Sequence, residues 1–451
     1  MRILLISSSA RGHAIADALK RSPKNPELIS VCSSANPGIQ ELAEEQHVLT
    51  PLTNIDAILT IAKNTKPNLA VIGPEDPIAS GIANTLEEVG IPTVAPLKSL
   101  AQIESSKGFT RNLLKKYGIN CSPQFRVYTK DTMKNMNKFI EQELKENFVV
   151  KYDALKGGKG VKVSGEHFNS IDDGVTYAKQ CIEECGQVVI EEKLIGCEFS
   201  LMSFVSGTQV IDMPAVQDHK RAYAEDTGPN TGGMGTYSDA NHSLPFLEKD
   251  DLERAKEINR LVAKALLKES GKPYRGILYG GFMATADGVK LIEYNCRFGD
   301  PEALNVLPIL SSDFVAICEG IVNGELSEKL VQFEHKATVC KYIVPKGYPE
   351  NKDQKGMEVV FPKPTKNARI YLGDVSSLDT ILLRKITRDD IYILGSSRTA
   401  GIVGIGDTLE EAEQIAQRLC KQVKGPVRFR SDIGTRDLTT KRVSLLRNLR
   451  S

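Results

Sequence analysis

The stretch from Ile292 to Glu302 carries the densest set of residues that could do chemistry, and it reads I-E-Y-N-C-R-F-G-D-P-E. Its apolar start predicts a strand, and side chains on a strand alternate between two faces, so Glu293, Asn295 and Arg297 are expected to point the same way. A carboxylate and an amide oxygen suit Mg²⁺, and a guanidinium beside them suits a phosphate or carboxylate oxygen. A solvated strand face with an incidental ion pair would show the same residues, so this stretch alone leaves both interpretations open.

The length and composition of the chain narrow the class of protein. Its 451 residues are too many for one hydrophobic core and predict about three domains. Charged residues make up 25% and the formal net charge is +1, which argues against a nucleic-acid partner. No apolar run approaches the roughly 18 to 20 residues of a membrane span, and no signal-peptide pattern opens the chain, so we expect a cytoplasmic protein without a membrane partner. The nine scattered cysteines predict reduced thiols.

Apolar runs at 2–7, 28–32, 69–72 and 93–95 alternate with helical segments, one of them expected over 77–89. This alternation predicts a doubly wound parallel sheet, which binds ligands at the carboxyl ends of its strands. A phosphate-bearing small molecule would fit there, ordinary connecting turns would look the same, and the lack of a full G-x-G-x-x-G disfavours a dinucleotide. The residues that follow the strands include Arg11 in the turn S-S-S-A-R-G-H, then Asn36, then Gly73, Pro74 and Glu75.

A strand expected at 148–151 leads into a glycine-rich loop, K-G-G-K-G-V, at 156–161. Glycines let the backbone approach a bulky polyanion, and lysines bring positive charge to the same place. The loop lacks the G-K-[ST] ending of a P-loop, which disfavours a P-loop ATPase, and a plain flexible hairpin is the alternative. The candidate residues here are Lys107, Lys151, Gly157, Gly158, Lys159 and Gly160.

The next strand, expected at 188–190, runs into Glu191, Leu194 and Glu198. An extended segment that ends in free backbone groups and a carboxylate can hydrogen-bond adenine and ribose hydroxyls. A strand that merely connects two domains would look the same.

Two polar blocks follow, Q-D-H-K-R at 217–221 and D-T-G-P-N-T-G-G-M-G at 226–235. A run with so many glycines and so few apolar residues cannot bury itself, which predicts a functional loop. Lys220 and Arg221 suit anionic substrate groups. For His219 we favour scaffolding or a substrate contact over a role as general base.

Beyond residue 330 the pattern of apolar and polar residues is less distinct. Strands are expected there at 337–344 and 391–394, and a capped helix from Thr408. Together with the earlier patterns, these elements predict a small α+β C-terminal domain. The expected units are a parallel α/β domain at 1–104, a central domain at 105–330 with a lid subdomain at about 123–192, a C-terminal domain at 331–435 and a basic tail at 436–451.

The order and spacing of the motifs resemble the ATP-grasp superfamily and, within it, the glycinamide ribonucleotide synthetase family of phosphoribosylamine-glycine ligases. The resemblance covers almost the whole chain and implies a central ATP-grasp fold with a mobile lid. The motifs that carry it are G-P-E-D-P (73–77), V-V-K-Y-D (149–153), G-K-G-V (158–161), Q-D-H-K-R (217–221), D-T-G-P-N-T-G-G-M-G (226–235) and I-E-Y-N-C-R-F-G-D-P-E (292–302).

The resemblance implies an activity in de novo purine synthesis. Glycine and ATP would form glycyl phosphate, and the amine of 5-phosphoribosylamine would then displace phosphate to give glycinamide ribonucleotide. ATP and Mg²⁺, or Mn²⁺ in its place, are the implied cofactors. We expect a monomer, with a dimer as the alternative.

The same resemblance implies roles for individual residues. ATP would contact Lys107, Lys151, Gly157, Gly158, Lys159, Gly160, Glu191, Leu194 and Glu198. The metal would bind Glu293 and Asn295, and the catalytic residues would be Arg297, Lys220 and Asp218. The two acceptor substrates would contact Arg11, Asn36, Gly73, Pro74, Glu75, Arg221, Asp300 and Glu302.

Three departures from the family pattern stand out. The first turn reads S-S-S-A-R-G-H where the family usually has G-x-G-G-R-E-H, and the lid has Ala154 and Lys156 where glycine and a small residue are usual. The strand segment G-F-M at 281–283 also lacks the acidic metal ligand of other ATP-grasp enzymes.

Two other functions remain as alternatives. The first is another ATP-grasp carboxylate-amine ligase or a carboxylase, which should lack the Q-D-H-K-R block. The second is a non-catalytic nucleotide-binding homologue, against which the lysines and the I-E-Y-N-C-R segment argue.

Removal of the positive charge in Arg221→Gln is expected to raise the KM for phosphoribosylamine by roughly tenfold, and the KM for ATP by less, because a charged hydrogen bond to the substrate is lost. Steady-state kinetics with each substrate varied in turn measures this. A larger change in the KM for ATP would instead place the Q-D-H-K-R loop beside the nucleotide.

Overall fold

The computed structural model describes residues 1–145, 147–157, 159–377 and 390–451. The first unit is a five-stranded parallel sheet in the order β3-β2-β1-β4-β5, with helices on its faces. It is built from β1 Arg2–Ile6, α1 Ser9–Lys20, β2 Glu27–Cys32, α2 Pro37–Leu42, β3 Glu45–Val48, α3 Ile55–Thr65, β4 Leu69–Ile72, α4 Glu75–Ser80, α5 Ile82–Glu88, β5 Thr93–Val94, α6 Lys98–Ser105 and α7 Lys107–Lys116. Strands β1, β2 and β4 are buried almost throughout, which confirms the parallel sheet that their apolar runs predicted.

The prediction of a single helix over 77–89 was wrong. The chain forms α4 and α5, which are separated by Gly81 at a φ of 98°. A left-handed residue ends a helix, and glycine adopts that conformation without a steric penalty. Ile78 and Ile82 are buried as the periodicity implied, whereas Val89 is exposed.

The lid subdomain is a four-stranded antiparallel sheet in the order β6-β9-β7-β8, backed by two helices. Phe148 and Phe168 stack in its own hydrophobic core, so it is a separately packed unit. Its elements are β6 Phe125–Thr129, α8 Met136–Gln142, β7 Phe148–Tyr152, β8 Val161–Val163, α9 Ile171–Cys185 and β9 Gln187–Glu192.

The central unit is a second four-stranded antiparallel sheet, in the order β11-β10-β16-β17, with the long helix α10 against it. The apolar stripe of α10, which includes Ile258 and Val262, is buried as expected. The elements are β10 Cys197–Ser206, β11 Gln209–Asp212, β12 Gln217–Asp218, β13 Arg221–Tyr223, β14 Thr227–Asn230, β15 Gly235–Ser238, α10 Lys249–Ser270, β16 Arg275–Thr285, β17 Gly288–Asn295, α11 Glu302–Val306 and α12 Phe314–Asn323.

The C-terminal domain shares a sheet with the central unit. Strand β12, which carries the start of the Q-D-H-K-R block, pairs with β15, and β15 pairs with β18, so both belong to a sheet of order β12-β15-β18-β23-β20, with β24 beside β18. Three further described strands form a sheet of order β19-β22-β21. The elements are β18 Ala337–Pro345, β19 Glu358–Phe361, β20 Ala368–Leu372, β21 Val375–Ser377, β22 Asp390–Leu394, β23 Ala400–Gly406, α13 Leu409–Cys420, β24 Val427–Arg428 and α14 Arg436–Arg450.

The segment expected as a basic tail forms the helix α14, which packs on the body of the protein. Leu438 and Leu446 are buried, and Arg450 forms two hydrogen bonds of 3.0 and 2.7 Å with the buried carboxylate of Asp251 at the start of α10. Its positive charges are therefore partly used inside the molecule.

Two further expectations concern the whole chain. All nine cysteines are free thiols, as their spacing predicted. Within the described ranges, the helices lack the combination of length and apolar character that crossing a membrane requires.

Arg450→Gln is expected to lower the free energy of unfolding by about 1–3 kcal/mol, because it leaves the buried Asp251 without its charged partner. Denaturant unfolding measures the difference. Arg447 lies exposed on the same helix, so Arg447→Gln is the matched control and should leave the midpoint unchanged; equal effects of both changes would refute the role of the ion pair.

Candidate active site

The candidate site lies at the end of β17, where the strand contains an irregularity. Gly281 pairs with Glu293 and Phe282 pairs with Leu291, so Ile292 is an extra residue without a partner on β16. After this bulge the odd-numbered residues are partly exposed and the even-numbered ones buried. Glu293, Asn295 and Arg297 therefore share one face, as the alternation predicted, and Arg297 donates to Asn295 Oδ1 over 3.3 Å.

The carboxylate of Glu293 faces several cations. Burial raises its pKa, but the positive charges of Lys220, Lys107 and Lys151 outweigh burial and hold the pKa below its ordinary value. Gly281 lies across from Glu293 on β16 and contributes no side chain there. Glu293 is thus ionised in a pocket that could accept both a metal and the negative charge of a substrate.

Arg297 is held between two carboxylates from the N-terminal unit. Its Nε lies 3.1 Å from Glu75 Oε2 and its Nη2 lies 3.0 Å from Glu104 Oε1. Glu104 is buried at the end of α6 and also accepts the backbone N–H of Cys296 over 2.8 Å. Burial raises the pKa of Glu75, but Arg297 and Arg11 lower it to about 2. Sequence reasoning missed Glu104, since nothing in an isolated glutamate on a helix marks it as a partner of Arg297.

Lys151 and Glu191 lie together under the bulge with Arg111 from α7. Lys151 Nζ forms an ion pair with Glu191 and donates to the Ile292 carbonyl over 3.0 Å. Arg111 Nε donates to Glu191 Oε2 over 2.9 Å, and the side chains of Arg111, Lys151 and Glu191 are all at least 96% buried. The carboxylate of Glu191 is engaged by protein cations, and its predicted contact with adenine or ribose stays a prediction.

The lid approaches the site through Asp153 and the glycine-rich loop. Asp153 accepts the Gly108 N–H over 2.9 Å and the Ser106 hydroxyl over 2.9 Å, which ties the lid to the start of α7 beside Lys107. In the loop, Gly157 and Lys159 are exposed and Gly160 is buried against Tyr152. Gly158, a predicted ATP contact, lies outside the described residues.

Lys156 does not face the cleft. Its Nζ pairs with Glu184 over 3.0 Å and lies 3.8 Å from the centre of the Tyr152 ring, so its charge is used within the lid. On the other side of the cleft, Glu198 is exposed and its carboxylate lies 3.8 Å from Lys220 Nζ. Leu194 is partly buried on the segment between β9 and β10.

The Q-D-H-K-R block and the I-E-Y-N-C-R stretch line one cleft, which contains Asp218, Lys220, Tyr279 and Glu293. Burial and the nearby charge of Glu302 raise the pKa of Asp218 well above its ordinary value. Glu302 accepts the Tyr279 hydroxyl over 2.9 Å. Two adjacent carboxyl groups that share a site favour retention of one proton, and together they could accept an amine or ammonium group.

Loop glycines permit this close approach. Gly233 has a φ of 112°, and a Cβ at that position would lie 2.7 Å from Asp218 Oδ1. The glycine-rich motif therefore closes over Asp218 in a way that a larger residue would prevent.

His219 is buried, as scaffolding requires. Its Nδ1 lies 3.2 Å from the Gly235 carbonyl, and burial lowers its pKa to about 4. It is neutral at physiological pH and fixes the loop between β12 and β15.

Asp300 joins the N-terminal and C-terminal domains. It accepts the Ser9 hydroxyl over 2.9 Å and pairs with Arg398 over 3.4 Å, and Tyr342 donates to it as well. Arg398 also donates to the carbonyls of Gly232 (2.7 Å) and Asp300 (2.9 Å). Arg398 was not among the predicted site residues, because only the fold brings the C-terminal domain to this loop.

Among the predicted substrate residues of the N-terminal unit, Arg11 and Glu75 contact the segment at Phe298 and Arg297, and polar atoms of Arg11 and Asn36 bind protein groups. Arg11 donates to the Phe298 carbonyl over 2.8 Å and pairs with Glu75 over 3.6 Å. Asn36 caps α2 and donates to the Leu372 carbonyl over 2.8 Å. Gly73 and Pro74 lead into α4. In the serine-rich turn, the hydroxyls of Ser8 and Ser9 also bind protein groups. Phosphate contacts of these residues stay predictions.

Arg221 lies on β13 beside the lid. Its guanidinium contacts Glu166 of the lid at 2.5 Å and donates to the Gly228 carbonyl over 2.9 Å. Its predicted contact with a substrate stays a prediction.

The oxygen donors at the end of β17 fit a divalent metal. The described part of the chain has no group of three or more His, Cys, Asp or Glu side chains placed to hold a metal ion. Glu293 and Asn295 supply one carboxylate and one amide oxygen, and Mg²⁺ commonly takes few protein ligands and fills its shell with water and phosphate oxygens. The donor set therefore fits a phosphate-bound metal better than an all-protein cage.

Three sequence models of one known family match most of the chain. Sequence models described as the N, ATP-grasp (A) and C domains of phosphoribosylglycinamide synthetase match residues 1–104, 105–303 and 338–436. The chain is 45% identical over 456 residues to "Phosphoribosylamine--glycine ligase" of Methanococcus vannielii, with 100% of both chains covered. It is 43% identical to the protein of the same name in Methanosarcina barkeri, again with 100% of each covered.

Solved structures agree with the fold. A crystal structure of phosphoribosylamine–glycine ligase from Thermotoga maritima is similar at a TM-score of 0.77 and 26% identity, covering 96% of this chain and 100% of that one. The biotin carboxylase domain of the 2-oxoglutarate carboxylase of Hydrogenobacter thermophilus is similar at a TM-score of 0.70 and 14% identity, covering 99% and 93%. At that identity the second likeness concerns the fold alone.

Glu293→Gln is expected to abolish metal-dependent ATP turnover, a loss of at least roughly 100-fold, because it removes the anionic metal ligand and leaves the strand in place. Phosphate release at varied Mg²⁺ and Mn²⁺ measures the loss, and circular dichroism checks the fold. Glu253→Gln on the exposed face of α10 is the control. Near-normal activity of Glu293→Gln would refute the metal assignment.

Proposed function

The chain belongs to the phosphoribosylglycinamide synthetase family, and we propose that it joins glycine to 5-phosphoribosylamine at the expense of ATP in purine biosynthesis. The observation that carries this is the match of all three family domains, with 45% identity to a curated ligase over the full length of both chains. The product would be glycinamide ribonucleotide, with ADP and phosphate.

The reaction has two balanced steps. A carboxylate oxygen of glycine attacks the γ-phosphorus of ATP, the bond to the bridging oxygen breaks, and glycyl phosphate and ADP form. The amine of phosphoribosylamine then attacks the acyl carbon, phosphate leaves with the electron pair of the broken C–O bond, and the amide nitrogen loses a proton. Both steps need alignment and neutralisation of negative charge more than a strong base.

A divalent cation, Mg²⁺ or Mn²⁺, would be held by Glu293 and Asn295 and would supply charge neutralisation at the phosphate oxygens. The position of Glu293 among Lys107, Lys151 and Lys220 supports this, because those cations keep it ionised. Asn295 is oriented by Arg297, which donates to its Oδ1.

The cations around the cleft would hold and align the phosphoryl group. Lys107 at the start of α7, Lys151 on β7 of the lid and Lys159 in the glycine-rich loop are assigned to the phosphates. Arg297 is assigned to negative charge that develops on the transferred group. Its two carboxylate partners fix the direction of the guanidinium, which supports a preorganised site.

The acceptor substrates would occupy the cleft beyond Arg297. Lys220 suits the carboxylate of glycine, while Asp218 and Glu302 suit an amine, since their carboxyl groups are adjacent and one favours its protonated form. Asp300 with Arg398 closes the end toward the C-terminal domain. Arg11, Asn36, Glu75 and the residues near them would border phosphoribosylamine.

The nucleotide base and ribose would lie along the segment that leaves β9. Leu194 offers an apolar contact, and Glu198 offers a carboxylate to ribose hydroxyls at the edge of the cleft. We also propose the domain limits 1–104, 105–330 with a lid at 123–192, and 331–435, followed by α14. A monomeric state and a cytoplasmic location stay predictions.

The test is release of ADP with glycine, alanine and bicarbonate in turn, each with and without phosphoribosylamine. Full release is expected only when glycine and phosphoribosylamine are both present, and mass spectrometry should find the glycinamide ribonucleotide. Release that depends on bicarbonate would indicate a carboxylase instead. ATP binding without release under any condition would indicate a non-catalytic homologue.

A further inference from the structure

Arg111 is a buried arginine on α7 for which no role was predicted from the sequence. Its Nε donates to Glu191 Oε2 over 2.9 Å, and its Nη2 donates to the carbonyl of Ile292 over 2.9 Å. The third nitrogen, Nη1, is buried and has no hydrogen-bond partner within the described residues. A buried guanidinium N–H without a partner is costly, so a second arrangement that uses it would be favourable.

Lys151 binds the same two partners. Its Nζ forms the ion pair with Glu191 and donates to the Ile292 carbonyl over 3.0 Å. Glu191 thus has one oxygen facing Lys151 and the other facing Arg111. The two cations are redundant partners of one carboxylate and one carbonyl.

This redundancy matters because the proposed function assigns Lys151 to a phosphate of ATP. The Lys151 ammonium cannot direct its full charge and its hydrogen bonds to a phosphate while it neutralises Glu191. Loss of the only partner of a buried carboxylate is strongly unfavourable. Glu191 therefore needs a second cation if Lys151 is to turn away.

The carbonyl of Ile292 also needs a lasting partner. Ile292 is the extra residue of the bulge in β17, and the next residue is Glu293, the proposed metal ligand. A donor that holds this carbonyl fixes the turn of the chain that directs Glu293 into the cleft. Lys151 and Arg111 both donate to this carbonyl, so if Lys151 turns away, the hydrogen bond from Arg111 is the one of the two that remains.

We propose that Arg111 is a positioning residue that keeps Glu191 and the Ile292 carbonyl bound while Lys151 turns to a phosphate of ATP. Its unpartnered Nη1 can then donate to an oxygen that Lys151 releases. This inference rests on the proposed function through the role of Lys151. It makes ATP affinity, rather than glycine affinity, depend on a residue that does not touch the nucleotide.

Calorimetric binding of a non-hydrolysable ATP analogue with Mg²⁺ tests this in a double-mutant cycle of Arg111→Gln and Glu191→Gln. In the chain with Glu191, Arg111→Gln should weaken binding by about tenfold or more, since Lys151 can no longer leave the carboxylate freely. In the Glu191→Gln background the same change should alter binding by less than about twofold, because no buried carboxylate then requires a cation.

Two controls separate this effect from damage to the fold. Lys116→Gln, on the same helix and in an exposed ion pair with Glu269, should bind the analogue as the unmodified chain does. Thermal unfolding without nucleotide shows whether Arg111→Gln still folds cooperatively, which is expected because Lys151 continues to pair with Glu191. In steady state, Arg111→Gln should raise the KM for ATP and leave the KM for glycine within about twofold.

Equal weakening by Arg111→Gln in both backgrounds would overturn the proposal and make Arg111 a direct nucleotide contact. Unchanged binding in the chain with Glu191 would also overturn it. The cycle needs neither glycine nor phosphoribosylamine, so it remains decisive if the analogue binds but ADP release fails the test of the proposed function.

Discussion

The site depends on a set of buried ion pairs that hold the end of β17. Three carboxylates from three different elements neutralise three cations beneath and beside the strand, and Glu293, which has no close ion-pair partner among the described residues, faces the cleft. Breaking one such pair typically costs about 3–5 kcal/mol, which fixes these side chains more firmly than surface contacts could. The carboxylates are Glu75, Glu104 and Glu191, and the cations are Arg111, Lys151 and Arg297.

These pairs and a few further polar contacts join the domains around the site. Glu75 and Glu104 come from the N-terminal unit, and Glu191 comes from the end of the lid sheet. The C-terminal domain contributes Arg398 and shares a sheet with β12, the strand that begins the Q-D-H-K-R block. Asp153 of the lid also accepts the N–H of Gly108 at the start of α7, which ties the lid to that helix. Each of these contacts thus fixes a polar side chain of one domain through a group that lies on another.

Much of this could be predicted from the sequence where local rules decide. The parallel sheet followed from its apolar runs, and the shared face of Glu293, Asn295 and Arg297 followed from strand alternation. The bulge at Ile292 could not be foreseen, because it depends on pairing with β16. Neither could the roles of Glu104 and Arg398, since an ion pair between distant segments leaves no local pattern. Gly81 divided an expected helix because its left-handed conformation outweighed the apolar periodicity around it.

The most direct test of the central claim is the anomalous diffraction of Mn²⁺ in crystals of the protein with a non-hydrolysable ATP analogue. The account predicts a peak about 2.0–2.3 Å from a carboxylate oxygen of Glu293 and the amide oxygen of Asn295, next to the phosphates. A peak held by Asp218 and Glu302 instead, with none beside Glu293, would contradict the claim that the end of β17 is the floor of the metal and ATP site.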